Sequence, residues 1–250
     1  MQMLCIVQAR CSSSRLPGKV IKNIAGKPMI IHELERLIRS RFIDKIVVAT
    51  SIENSDDYLA EIVTAAGFSV FRGNLEDVLD RYYRCAQKYK AQHVVRITGD
   101  CPVIDWRIVD FAIKNHLEHG NDYTKLSDDY PDGLDTEVIT FSAMEEAWQR
   151  AVLLSEREHV TLYLRNCAES YRIEILPCPQ KLGAMRWTVD EDQDFMFISK
   201  IFSELYEENR DFGMKDILSL LKEKPQLIKI NQGIKRNEGL IKSLANDRKI

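Results

Sequence analysis

Gln8-Ala9-Arg10-Cys11-Ser12-Ser13-Ser14-Arg15-Leu16-Pro17-Gly18-Lys19 places three fixed cations, three consecutive serine hydroxyls and a Pro-Gly pair within twelve positions. Cations at that density among short hydroxyl donors suit an anion with several oxygens, and a phosphate chain is the obvious one. Pro17 fixes its φ and Gly18 leaves its own free, so backbone N–H groups there can approach a ligand closely while Lys19 faces it. The stretch has neither the spacing of a P-loop nor the glycines of a dinucleotide-binding turn. The plain alternative is a solvated loop whose arginines pair with surface acids.

Two groups of carboxylates could complete such a site. Asp100, in Thr98-Gly99-Asp100-Cys101-Pro102, is suited to hold Mg²⁺, which usually takes one or two carboxylates together with substrate phosphates. It could instead cap the next helix, although Asp105 before Trp106 fits that role at least as well. The run Asp190-Glu191-Asp192-Gln193-Asp194 offers a second ligand, but acids there also favour the start of a helix. His116 and His119 lack the further ligands of a zinc set. In Arg157-Glu158-His159, a cation, an acid and an imidazole crowd together ahead of an apolar helix face.

These residues need a scaffold, and two periodicities alternate along the first half of the chain. Residues 3–7, 45–49, 69–71 and 93–97 are short β-branched or apolar runs suited to buried parallel strands. Residues 29–39, 56–66 and 75–89 have helical spacing, the first opened by Pro28 and the second closed by Gly67. Alternation of this kind predicts a doubly wound α/β sheet, with 8–19 and 98–102 at the carboxyl ends of strands, where ligands bind. Strands are expected again at 122–126, 137–140, 171–176 and 186–189, separated by irregular Pro- and Asp-rich segments that suggest a small inserted α+β lobe. Helices follow at 195–206 and 214–221, and the polar stretch after Gly233 reads as a frayed or docking helix. One domain over 1–231 with a tail over 232–250 is the expected organisation.

The bulk properties narrow the partners. The 250 residues carry 35 Lys and Arg against 38 Asp and Glu, a net charge of −3, which disfavours a general nucleic-acid or acidic-membrane binder. The six cysteines show no C-x-x-C spacing and are expected to be reduced thiols. The apolar run at 3–7 is too short for a signal-peptide core or a membrane span, so no membrane insertion and a cytoplasmic protein are expected.

QARCSSSRLPGKVIKNIAGKPMIIHELERL closely resembles the N-terminal signature of the cytidylyltransferases that activate acidic sugars, the CMP-KDO and CMP-sialic acid synthetases, and most nearly their SpsF-type relatives of spore-coat polysaccharide synthesis. RITGDCPVID, PDGLDTEV, REHVT and RWTVDEDQD follow in that group's order, over about residues 2–200. The resemblance implies a nucleotidyltransferase of the glycosyltransferase-A-like fold that joins a sugar or sugar acid to CTP with Mg²⁺ and releases pyrophosphate, in surface polysaccharide or glycoconjugate synthesis. It assigns Arg10, Arg15 and Lys19 to the triphosphate, with Gln8, Ala9, Ser14 and Thr98 beside them, and Asp100 and Asp190 to the metal. Asp192 and Asp194 stay open as alternatives to Asp190. Asp132, Asp135, Glu137, Arg157 and His159 become candidates for the acceptor, in a lobe over about 122–190 that could also form a homodimer. The acidic-sugar synthetases have Pro-Ala-Arg where this chain has Gln8-Ala9-Arg10, which leaves the acceptor open. Two alternatives are a glycosyltransferase of related fold, which typically carries a D-x-D motif at a strand end, and a non-catalytic nucleotide-binding protein.

Overall fold

A computed structural model of the chain describes residues 2–234 and 236–250. Its order of main elements is β1 (Met3–Gln8), β2 (Asn23–Ile24), β3 (Lys27–Pro28), α1 (Met29–Leu37), β4 (Lys45–Ser51), α2 (Asp57–Ala65), β5 (Ser69–Gly73), α3 (Val78–Lys88), β6 (His93–Thr98) and α4 (Trp106–His119). Then come β7 (Tyr123–Leu126), β8 (Glu137–Thr140), α5 (Phe141–Arg150), α6 (Leu154–Glu158), α7 (Leu162–Asn166), β9 (Ile173–Leu176), α8 (Asp192–Leu205), α9 (Met214–Glu223) and α10 (Glu238–Ala245). Among the described residues, no helix is long and apolar enough to cross a membrane.

Seven strands form one sheet in the order β5-β4-β1-β6-β8-β7-β9. All its pairings are parallel except the two made by β8. The period of two along β1 explains why it is apolar throughout. Met3, Cys5 and Val7 face a core shared with α1, α2, α4, α8 and α9, whereas Leu4 and Ile6 face one shared with α3, α5 and α7. Helices therefore cover both faces, as the alternating runs predict. The sequence direction reverses at the β1/β6 neighbours, and the crevice outside their carboxyl ends is where such sheets take ligands.

The α+β portion over 122–190 is joined to the parallel half edge to edge: β8 pairs with β6, β7 with β8, and β9 with β7. Only its connections are irregular, because 127–136 and 177–191 cross the carboxyl-end rim without a helix. The expected strand at 186–189 is absent. That segment makes one isolated bridge, Arg186 to Asp132, and otherwise threads between two loops, with Trp187 N–H on the Asp132 carbonyl at 2.6 Å and Val189 N–H on the Asp100 carbonyl at 2.9 Å, so no ladder forms. Gly133 permits this approach. Its φ is +108°, and a Cβ there would lie 2.5 Å from the Thr188 nitrogen.

Candidate active site

The loop after β1 is built from inside. Asp56, wholly buried, accepts from the Cys11 N–H at 2.7 Å and also holds Ser51, which ties the loop to the end of β4. Gly18 takes the left-handed conformation expected of it, at φ +69°. Its N–H, however, is spent on the Cys11 carbonyl at 2.9 Å, and that of Lys19 on Leu16 at 3.2 Å. Pro17-Gly18 thus shapes the turn and does not offer its amides to a ligand. The N–H groups of Ser12, Ser13 and Ser14 bond to no described residue, which moves the available donors a few positions earlier.

Gln8, Ala9, Arg10, Ser14, Arg15, Lys19, Thr98 and Asp100 all border one cavity of about 360 Å³. Asp132, Asp135, Glu137 and His159 border a second of about 310 Å³. Arg15, Thr98, Asp100 and Asp190 border both, so the two carboxylates stand on the boundary between the cavities. There the Lys19 ammonium donates to Asp100 Oδ2 and to Asp190 Oδ1, each at 2.8 Å. Burial works against an ionised Asp100, yet the Lys19 charge and hydrogen bond outweigh it and pull the carboxyl down to about 2. The same two acids raise the Lys19 ammonium against its own burial.

Three acids compete for the role of second carboxylate, and geometry separates them. The Asp192 side chain is 81% exposed and, among the described residues, pairs only with Lys22. Asp194 is buried and fully used, accepting from the N–H groups of Asp190 and Glu191 at the start of α8 and from Arg186. Asp190 alone of the three faces both cavities, where it also pairs with Arg15 at 2.9 Å.

Arg186, which residue types alone did not single out, is the hub beneath them. Its guanidinium donates to Asp132 at 2.7 Å, Asp190 at 2.8 Å and Asp194 at 3.0 Å. The signal was its place four residues before Asp190 in the quoted RWTVDEDQD. Glu137 is likewise committed. Arg96, Tyr123 and Thr161 all donate to it, and although burial works against the ionised form these partners, Arg96 first, bring its carboxyl down to about 2. Arg96 was legible as a charge in the apolar run of β6. Burial lowers the His159 imidazole, and its Nε2 finds no hydrogen-bond partner among the described residues.

Arg157 is not brought to either cavity. Its guanidinium is held by both Asp77 oxygens and by the Trp148 carbonyl at 2.7 Å, so it fastens α6 to the start of α3. The crowded Arg157-Glu158-His159 thus divides: Glu158 borders the first cavity and His159 the second, while Arg157 points to another face.

Fold and site together define a nucleotide-handling α/β protein: a cationic loop after the first strand, two carboxylates converging on one cation, and a second cavity across them. The family model for cytidylyltransferases matches residues 4–224, and the chain belongs to that family. It is 33% identical over 240 residues to an uncharacterized protein of Methanocaldococcus jannaschii, covering 94% of this chain and 97% of that one. It is also 33% identical over 230 residues to the spore coat polysaccharide biosynthesis protein SpsF of Bacillus subtilis, covering 89% and 95%. A cytidylyltransferase structure from Leptospira borgpetersenii superposes with a TM-score of 0.89 at 31% identity, over 94% of this chain and all of that one. The CTP complex of CMP:2-keto-3-deoxy-manno-octonic acid synthetase, at 19% identity and TM-score 0.66 over 82% and 99%, shares the fold.

Proposed function

We propose that the protein transfers CMP from CTP to a hydroxyl of a sugar or sugar acid, with Mg²⁺, in the synthesis of a surface polysaccharide or glycoconjugate. The observation that carries this reading is the position of Asp100 and Asp190, joined through Lys19, on the wall between two polar cavities. The cavity at the end of β1 takes the nucleotide, with Arg10, Arg15 and Lys19 on its phosphates and Gln8, Ala9, Ser14 and Thr98 around it. The other takes the acceptor, beside Asp132, Asp135, Glu137 and His159.

The donor set fits Mg²⁺. Two carboxylate oxygens lie 2.8 Å from one ammonium nitrogen, so they already converge on a single cation, and Mg²⁺ needs few protein ligands when phosphates and water supply the rest. Asp100 and Asp190 would hold the ion, which would supply charge neutralisation at the phosphates. The acceptor oxygen attacks the α-phosphorus, a P–O bond forms, the bond to pyrophosphate breaks, and the hydroxyl proton passes to solvent water. Arg10 and Arg15 offset the charge that collects on the leaving pyrophosphate, and positioning supplies much of the rest.

Pyrophosphate release measured for four nucleoside triphosphates against sugar acids and neutral sugars tests the reading. CTP is expected to be the preferred donor. Turnover with another nucleotide and none with CTP would overturn it.

A further inference from the structure

The family match ends at residue 224, yet the chain returns to the cleft after it. Arg236, Glu238, Gly239 and Leu240 border the second cavity, and Gly239, Lys242 and Ser243 border the first. A tail that merely stabilised the fold would bury apolar surface. α10 buries none of its residues, and Ile241 and Leu244 stay 59% and 49% exposed. Polar ties hold it instead. Ser155 bonds Asp247 at 2.6 Å, the Leu154 N–H bonds the Arg248 carbonyl at 2.9 Å, Ser243 bonds Glu158, and Glu238 lies 3.6 Å from Arg15.

Arg236 makes the most specific of these contacts. Its side chain is 17% exposed, and its fork is spent on one loop. Nη1 donates to the carbonyls of Asp128 and Tyr130 at 3.0 Å each, Nη2 donates to Asp135 at 2.6 Å, and Nε lies 3.7 Å from Asp132. That loop, between β7 and β8, is a wall of the second cavity and carries Asp128, Asp129, Asp132 and Asp135. Burial and the neighbouring Asp135 push the Asp132 carboxyl up, and Arg236 and Arg186 oppose this. No cation other than Arg236 pairs with Asp135 among the described residues.

We propose that Arg236 is a positioning residue for the acceptor: by clamping two carbonyls and two carboxylates of residues 128–135 it fixes the shape and charge of the wall that the acceptor meets. The proposal rests on reading the second cavity as the acceptor side. Planar, multidentate clamping is a property of arginine that lysine does not reproduce.

The test compares wild type, Arg236→Gln and Arg236→Lys in full-length protein by hydrogen exchange of the 127–136 amides and by steady-state kinetics. Arg236→Gln is expected to speed exchange in that segment and to raise the acceptor KM about tenfold, the loss of a hydrogen bond to a charged group. Its kcat and CTP affinity should stay within about twofold. Arg236→Lys, which keeps charge without the fork, should fall between the two. An unchanged acceptor KM, or exchange in 127–136 equal to wild type, overturns the proposal. A wild type that turns over no acceptor sinks the functional reading instead, and the exchange comparison then decides the role of Arg236 by itself.

Discussion

Lys19→Met removes one ammonium and little volume, and the structure says what is left behind. Asp100 loses its only cation among the described residues, whereas Asp190 keeps Arg15 and Arg186. Lys19 is 9% exposed in its side chain, and its partners 22% and 17%, so the pairs are more buried than surface ones. Breaking a buried pair from one side costs about 3–5 kcal/mol, and the cushioning of Asp190 favours the lower end. About 3 kcal/mol in a chain of this length is a fall in Tm of roughly 6–12 °C. Calorimetry in EDTA reads that loss. A titration with Mg²⁺ alone then reads the site. In wild type the ion must displace Lys19, whereas in the variant Asp100 stands uncompensated and Asp190 is relieved of one of its three cations, so Mg²⁺ should raise the Tm of the variant more than that of wild type. A Tm loss under roughly 2 °C, or equal Mg²⁺ effects on both proteins, would refute the convergence of Asp100 and Asp190 on one cation.

Three further outcomes follow from the same geometry. Asp190→Asn should remove most turnover, while Asp192→Asn, on a side chain 81% exposed, should keep it; pyrophosphate release by the two variants decides the matter. Arg96 and Arg165 border the second cavity, each with a buried Nε that lacks a partner among the described residues, so if that cavity takes the acceptor, Arg165→Gln should raise KM by on the order of ten- to a hundredfold for a sugar acid and far less for a neutral sugar; equal effects on both would count against an anion-binding role. His116 is buried against His93 and Thr124, and burial with the neighbouring His93 takes its imidazole from 6.5 to about 4. The unfolded chain therefore binds a proton below pH 6.5 that the fold refuses until about 4, and stability should fall over that window by up to about 3 kcal/mol; urea midpoints of His116→Gln that drop as steeply as wild type would contradict it.

The parallel half was legible because burial on both faces makes a strand apolar throughout, and Met3–Gln8, Lys45–Ser51 and His93–Thr98 lie close to their expected limits. The cationic loop stood out for a different reason: its residue types are chemically costly to gather unless something offsets them, whereas Asp190 was set apart from Asp192 and Asp194 only by the resemblance. Arg186 and Arg236 were not legible. A single arginine in a polar segment looks like any solvated charge, and its value here comes from partners far away in sequence, 54 residues for Arg186 to Asp132 and 101 for Arg236 to Asp135. Arg157 failed in the other direction. Local crowding suggested a site, and a partner 80 residues away turned the side chain aside.

The cleft proposed to take a triphosphate is lined by carboxylates as well as cations. Asp100, Asp132, Asp135 and Asp190 are answered by Lys19, Arg186, Arg236 and Arg15, so the resting cleft is balanced without substrate. A triphosphate competes for Arg15 and Lys19. Drawing Lys19 away leaves Asp100 without its cation among the described residues and drawing both away leaves Asp190 with Arg186 alone, while Glu238, 3.6 Å from Arg15, loses that partner too. The nucleotide should therefore bind poorly alone and well with a divalent cation that restores the balance at Asp100 and Asp190. Coupling of this kind is reciprocal, so CTP should tighten Mg²⁺ binding by the same factor that Mg²⁺ tightens CTP binding, five- to 150-fold being roughly the usual range. Part of that factor arises in solution, because CTP chelates Mg²⁺ by itself. The protein's share is isolated by repeating both titrations in Asp100→Asn, where the factor should shrink while CTP binding without metal improves, since Lys19 is released from one of its two acids. If Asp100→Asn instead weakens metal-free CTP binding, Lys19 is not held in reserve by Asp100 and the balance of charges is not what links metal to nucleotide.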